Sequence, residues 1–240
     1  MEDCQINGYG KIDWVPGWYH TGEIAGSSPV SHMDSSWQSF ASSRTIQHMK
    51  RVVLTGGPGS GKTAVSNAIA LGDPKRFVVV PEAATQVYSN AHTRWDLVDT
   101  AGRRDLQRQI YRLQRSQEER LAAQHPDQIL ILDRGTIDGA AYWPDGPEAY
   151  WADLGTSLAA EIARYSHVIW MQTAAAIGIY DGSDSNACRF EDAAAAVASG
   201  ETLARLWSGH PRFQKVGAYP SLADRIDEVR TKLEKIAITG

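Results

Sequence analysis

Cysteine is scarce in this chain: 240 residues hold two, Cys4 and Cys188. Two cannot form a disulfide framework or, by themselves, a zinc cluster. Long apolar runs are absent too, and nothing approaches the roughly 20 residues of a membrane-spanning helix. Positive charge is in deficit, with 24 Lys and Arg against 28 Asp and Glu and a formal net charge of −4. That balance gives no electrostatic case for nucleic acid as the main partner. The first residues, MEDCQING, are acidic and lack an apolar stretch, so they do not read as a signal peptide. A cytoplasmic, reducing setting is the expectation. The 42% hydrophobic content is ample for the core of one α/β domain, alone or with an appendage.

Periodicity is missing from residues 1–48, which are rich in Ser, Gly and Trp. They read as a disordered or loosely attached extension. Met49 then opens MKRVVLTGGPGSGKT, which looks like a natural beginning, so the working domain is expected over 49–240. A rival reading makes the extension a docking arm, because Trp14, Trp18 and Trp37 are costly to leave in water.

From Arg51 onward, short apolar runs alternate with helical patterns, the sign of a parallel sheet with helices on both faces. Strands are expected at 51–55, 77–80, 128–132, 167–171 and 213–218. Helices are expected at about 62–70, 103–124, 147–165 and 221–236. In the last, Leu222, Ile226, Val229, Leu233 and Ile236 should point inward. The insert 174–210, polar and then alanine-rich, sits where phosphoryl-transfer enzymes often keep a mobile lid.

The chemistry is carried first by Gly56-Gly57-Pro58-Gly59-Ser60-Gly61-Lys62-Thr63, which fits G-x-x-x-x-G-K-[ST] between an expected strand and an expected helix. The glycines let backbone N–H groups wrap a phosphate, and the first turn of the following helix, which includes Ala64, adds its N-terminal partial charge. Lys62 is expected on the β/γ-phosphates and the Thr63 hydroxyl on Mg²⁺, which implies a nucleoside triphosphate, ATP with Mg²⁺. Asp133, at the end of ILIL, is the candidate second magnesium-side group; the rival reading makes it a helix cap. Asp99-Thr-Ala-Gly102 spells the DTAG of GTPases. The stretch before it makes a poor buried strand, however, and no N/T-K-x-D motif follows, so it is taken as a loop and helix N-terminus.

A kinase also needs an acceptor pocket, often a carboxylate base, and positive groups for the moving phosphoryl charge. Glu82, just past the second strand, suits the base; a helix N-terminal glutamate favoured by the dipole is the bland reading. Arg134 suits phosphate oxygens through its planar fork. Arg189, in NACRFED, is placed to fold over the phosphate, or is a solvated loop charge. Arg104, Arg108, Arg112 and Arg115 form a basic stripe that either attracts an anionic acceptor or is a solvated face. Trp95, Tyr142 and Trp143 suit stacking on a planar ring, or belong to the core.

The ordered set VVLTGGPGSGKT, VVVPEAATQVY, ILDRGTIDGAAY, NACRFED and LWSGHPRF resembles the P-loop domain shared by the ribosylnicotinamide kinase module of NadR and the translocation-defect nucleotide-binding proteins, the NadR-type AAA domain. The resemblance covers about 49–237. It implies a three-layer P-loop NTPase sandwich with a five-stranded parallel sheet, strand order 2-3-1-4-5, and a helical lid insert. It also implies Glu82 as base, Asp133 and Arg134 as magnesium-side acid and phosphate arginine, and Asp138 facing the acceptor pocket. Trp95 and Tyr142 join Glu82 and Asp138 as expected acceptor contacts. The chain departs from the pattern at Ala187, where a proline is expected, and in a lid helix poor in basic residues. The expected activity is phosphoryl transfer from ATP to a nucleoside-like or other small-molecule hydroxyl. The alternative is a nucleotide-dependent binding module.

Overall fold

The computed structural model describes residues 50–179 and 192–238. The expected extension over 1–48 and the site residue Arg189 lie outside the described residues. Five strands form one parallel sheet: β1 (Arg51–Thr55), β2 (Phe77–Val80), β3 (Ile129–Asp133), β4 (His167–Met171) and β5 (Phe213–Val216). Their order is β2-β3-β1-β4-β5, as the resemblance implies. Leu54 pairs with Asp133 and Thr55 with Trp170, so the C-terminal ends of β1, β3 and β4 share one edge.

The strands are apolar on both faces because helices cover both. Val52, Leu54, Ile131 and Ile169 face α1 (Lys62–Gly72) and α7 (Leu222–Ile238), meeting Val65, Ile69, Val229, Leu233 and Ile236. Val53, Leu130, Leu132 and Val168 face the other layer. That layer comprises α3 (Thr100–Gln124), α4 (Pro147–Leu154), α5 (Leu158–Ile162) and α6 (Ala193–Trp207). Its core holds Tyr111, Trp143, Tyr150, Trp151 and Trp207. Tyr150 meets Trp151 edge-on at 4.9 Å and Trp143 at 5.4 Å between ring centroids.

Several boundaries differ from the sequence-based expectation. The 147–165 helix is two helices, because Gly155 takes φ 65° and ends α4, and Ser157 caps α5 through its side chain. The fifth strand stops at Val216. Leu222 is half-exposed rather than inward, and Arg225, one turn before Val229, is buried instead. A short helix, α2 (Ala83–Asn90), follows β2. The alanine-rich helix of the insert packs onto the sheet layer. Ala196, Gly200, Leu203 and Trp207 of α6 are buried, and the Trp170 indole N–H donates to the Gly200 carbonyl at 2.8 Å. No helix among the described residues is long and apolar enough to cross a membrane.

Candidate functional site

The loop after β1 owes its shape to what surrounds it. Gly56 takes φ 139°, and a Cβ there would lie 2.1 Å from the Met171 carbonyl oxygen. A Cβ on Gly57 would lie 2.3 Å from the Ala196 carbonyl oxygen of α6. Both glycines are therefore required by close backbone approach, in addition to any ligand. Thr173 donates to the Pro58 carbonyl, and Arg225 donates to the Ser60 carbonyl at 2.8 Å. The Lys62 ammonium turns inward, donating to the carbonyls of Gly56 at 2.9 Å and Gly57 at 3.1 Å and to the Ser60 hydroxyl at 3.0 Å. Helix α1 begins at Lys62 with no acidic residue in its first turn, which leaves its N-terminal dipole to the loop. Thr63 and Ala64 are the next two residues of that turn.

At the sheet edge the Thr63 hydroxyl donates to Asp133 Oδ2 at 2.5 Å. Asp133 Oδ1 is buried without a hydrogen-bond partner. Burial, and then the nearby Glu82 charge, push the Asp133 carboxyl above the usual range. A carboxylate with one orphaned buried oxygen beside a P-loop threonine is a donor set that fits a hard divalent cation.

Next to Asp133, Arg134 adopts φ 77°, unusual for a residue with a side chain. Three contacts hold it there. Its N–H donates to the Leu54 carbonyl, its Nε to Glu82 at 2.5 Å, and its Nη1 to Asp138 at 3.2 Å. Glu82 is the N-cap residue of α2 and also accepts from the Thr85 hydroxyl at 2.7 Å. Burial would raise the Glu82 carboxyl, but the Arg134 charge, the Thr85 hydrogen bond and the Lys62 charge outweigh it and hold it at about 2. Burial likewise opposes the Arg134 charge, yet Tyr142, Glu82 and Asp138 keep that guanidinium protonated well beyond its ordinary range.

Asp138 is already committed within the fold. It accepts from the Thr55 hydroxyl at 2.9 Å, the Trp207 indole N–H at 2.7 Å and Arg134. Trp207 also explains the glycine of LDRG, since a Cβ on Gly135 would lie 2.8 Å from its ring.

Glu82, Arg134 and Asp138 line a cavity of about 100 Å³ that is bounded on one side by Pro58 of the loop. Tyr88, Gln107, Tyr111, Gln114 and Tyr142 complete much of its wall. A second chamber of about 570 Å³ adjoins it, sharing Tyr88, Trp95, Gln107 and Tyr142. Trp95 stands at the rim, 36% exposed, with the Arg103 guanidinium 5.2 Å from its ring centroid. Trp143 belongs to the core, 6% exposed.

Three of the four arginines of the basic stripe, all but Arg112, pair with neighbours among the described residues. Arg104 pairs with Asp145, Arg108 with Asp153 and Arg115 with Glu119. Asp99 of DTAG caps α3, accepting from the Gly102 N–H at 2.8 Å. It does not end a strand, whereas Asp133 does.

Sequence reasoning missed Arg225, Gln107 and Gln114. Arg225 had a signal, being a charged residue on the inward stripe of α7, four before Val229. Gln107 and Gln114 lie on an α3 whose apolar stripe is thin, and no local pattern marks them.

Strand order, the glycine loop, the basic residue within it and the acid at the end of β3 together define a P-loop NTPase fold of the kinase-like α/β type. The sequence profile of a family described as an AAA domain matches residues 51–216, and the chain belongs to that family. It is also similar to a tRNA modification GTPase, MnmE, from Shewanella woodyi, at 30% identity over 152 residues. That match covers 57% of this chain and spans about a third (32%) of the relative's length. Among solved structures, the deoxyadenosine kinase from M. mycoides with bound dATP superposes with a TM-score of 0.52 at 14% identity. The match covers 77% of this chain and 99% of that one. At such identity the likeness is one of fold.

Proposed function

We propose that the protein binds ATP with Mg²⁺ and transfers the γ-phosphoryl group to a hydroxyl of a small, nucleoside-like acceptor, as a member of the NadR-type branch of its family. One observation carries this reading: a single cavity is bounded both by the phosphate loop, through Pro58, and by the Glu82–Arg134 pair. Donor and acceptor would meet there.

The loop N–H groups of 56–61 and the start of α1 hold the phosphates, and Lys62 leaves its carbonyl partners for the β/γ-oxygens. Thr63 and Asp133 hold the Mg²⁺, which when bound neutralises developing phosphate charge. Glu82 orients the acceptor hydroxyl. With its carboxyl held at about 2 it is a weak base, and this suits a loose transition state, in which the hydroxyl proton leaves late. Arg134 offers its charge to the moving phosphoryl group while its backbone and side chain stay clamped. Asp138 positions Arg134 and lines the same cavity. Trp95 and Tyr142 flank the entrance. Arg189 is retained as a candidate phosphate arginine on its sequence position alone.

The roughly 100 Å³ cavity is smaller than the 300–1,000 Å³ common for ligand sites. The larger adjoining chamber supports an acceptor that reaches outward past Tyr142 and Trp95.

An ADP-release assay with ATP against nucleosides, ribosylnicotinamide and common hydroxyl metabolites tests this. Acceptor-stimulated turnover is expected. Tight ATP binding with no stimulation by any acceptor would instead favour a nucleotide-dependent binding module. The likeness to a GTPase supports testing GTP beside ATP, and a strong preference for GTP would overturn the donor assignment.

A further inference from the structure

We propose that Gln114 is a specificity-determining residue: it presents a fixed hydrogen-bond acceptor to the cavity, so the acceptor molecule must carry an amino or amide N–H donor on its base. This rests on the cavity being the acceptor site.

The argument begins behind the cavity. Glu118 of α3 is fully buried. It accepts from the Tyr165 hydroxyl at 3.0 Å and from Arg164 Nη2 at 2.6 Å, with Arg51 4.0 Å away. The groups that meet its two oxygens are donors. Gln114, one turn earlier and 3% exposed, donates Nε2 to Glu118 Oε1 at 3.1 Å and to the Arg134 carbonyl at 3.1 Å. A carboxylate oxygen and a backbone carbonyl can only accept. The side of the Gln114 amide that meets both must therefore be its NH₂, and turning the amide over would set its oxygen against two others. Its Oε1 accepts no hydrogen bond from the described residues, and the residue forms part of the cavity wall.

The other cavity glutamine differs. Gln107 donates at 3.4 Å to the Tyr88 hydroxyl, a group that both gives and takes hydrogen bonds. Its amide can turn over to suit a ligand, whereas the amide of Gln114 cannot. Glu118 touches no ligand and acts as the positioning residue that sets this polarity. The class selected is a nucleoside or riboside whose base carries an amino or amide donor. Analogues offering only acceptors there would leave two oxygens facing in a confined site.

The experiment uses matched pairs with the full-length protein, ATP and Mg²⁺. One pair is adenosine against purine riboside, which lacks the amino group. The other is ribosylnicotinamide against its carboxylate analogue. Both kcat/KM and binding by calorimetry are measured. A preference of about ten- to a hundredfold for the donor-bearing member is expected in whichever pair is used, consistent with the cost of an unpaired buried polar group. In Gln114→Met that ratio should fall towards one. In Glu118→Gln, whose amide can donate to Gln114, the ratio should fall or invert; thermal unfolding checks that each variant is folded. Equal use of both members by the unmodified protein would overturn the inference while leaving the acceptor site intact, and this holds even if neither variant folds. An unchanged ratio in folded Gln114→Met would also overturn it. Absence of binding and turnover with every compound would overturn the acceptor reading of the cavity, and the inference with it.

Discussion

The phosphate loop and the cavity proposed for the acceptor lie side by side, yet they are built in opposite ways. The loop is one contiguous run, 56–63, and its working groups are largely backbone. Its neighbours fit against it so closely that two of its glycines have no room for a side chain. The cavity draws side chains from α2, α3, the turn after β3 and the loop itself, residues as distant in sequence as Pro58 and Tyr150. A backbone site can be written in a short motif. A side-chain site assembled across elements cannot, and this is why the loop was readable as one motif, whereas around the cavity Glu82, Trp95, Arg134, Asp138 and Tyr142 were picked out singly and Gln107 and Gln114 were missed.

The largest expected effect breaks the donor half alone. Lys62→Ala should abolish triphosphate binding, followed with a fluorescent ATP analogue, while circular dichroism shows the fold intact. Glu82→Gln should do the converse, keeping ATP affinity within a few-fold and lowering acceptor-stimulated kcat by about 10², the scale of a misoriented reacting group. If it also weakened ATP binding as severely as Lys62→Ala, the two halves would not be separable.

Trp207→Ala should destabilise the protein by about 3–5 kcal/mol in urea unfolding, since a wholly buried indole leaves a cavity. Trp207→Phe removes chiefly the donor to Asp138 and should cost about 1–3 kcal/mol. A fall in kcat with Trp207→Phe would show that the clamp on Arg134 reaches the chemistry.

The fourth prediction concerns pH. The Glu82 carboxyl is lowered from an ordinary 4.5 to about 2 by its partners. Its stabilising contribution is therefore complete above about 4.5 and is lost as pH falls towards 2. Between pH 5 and 9, Glu82 stays ionised and should produce no acid limb in the kcat profile. Glu82→Gln should flatten the decline in stability between pH 4.5 and 2. The smallest effect is reserved for the α3 stripe: Arg104→Ala should leave turnover unchanged, because its partner is the exposed Asp145 and not the acceptor.

Much of the fold was legible. Runs such as ILIL and VVL, apolar at every position, announce strands buried on both faces, and the positions of β1 to β4 follow to within a residue. Helix boundaries were less so. Gly155 interrupts an otherwise continuous helical pattern, and its left-handed backbone becomes visible only once α4 and α5 are packed. Glu82 and Arg134 were found because each sits one or two residues beyond a strand, where the edge of an α/β sheet collects ligand groups. Asp138 was picked out with them, and it lines the same cavity. Its commitment to Thr55 and Trp207 depends on partners 83 and 69 residues away. Gln114 and Glu118 left no trace, because a buried polar pair on a long helix reads like part of its solvated face.

The closeness of Gly57 to Gly200 has a consequence for how this chain tolerates change. Gly200 sits on α6, and its absent side chain leaves Gly57 space on the loop. Substitutions at the two positions would compete for the same volume, so their effects should not add. A methyl group at Gly200 would then be felt as altered ATP affinity, by a residue that is not part of the loop at all. The freedom of the insert to vary is bounded by the shape of a phosphate site far upstream in the chain.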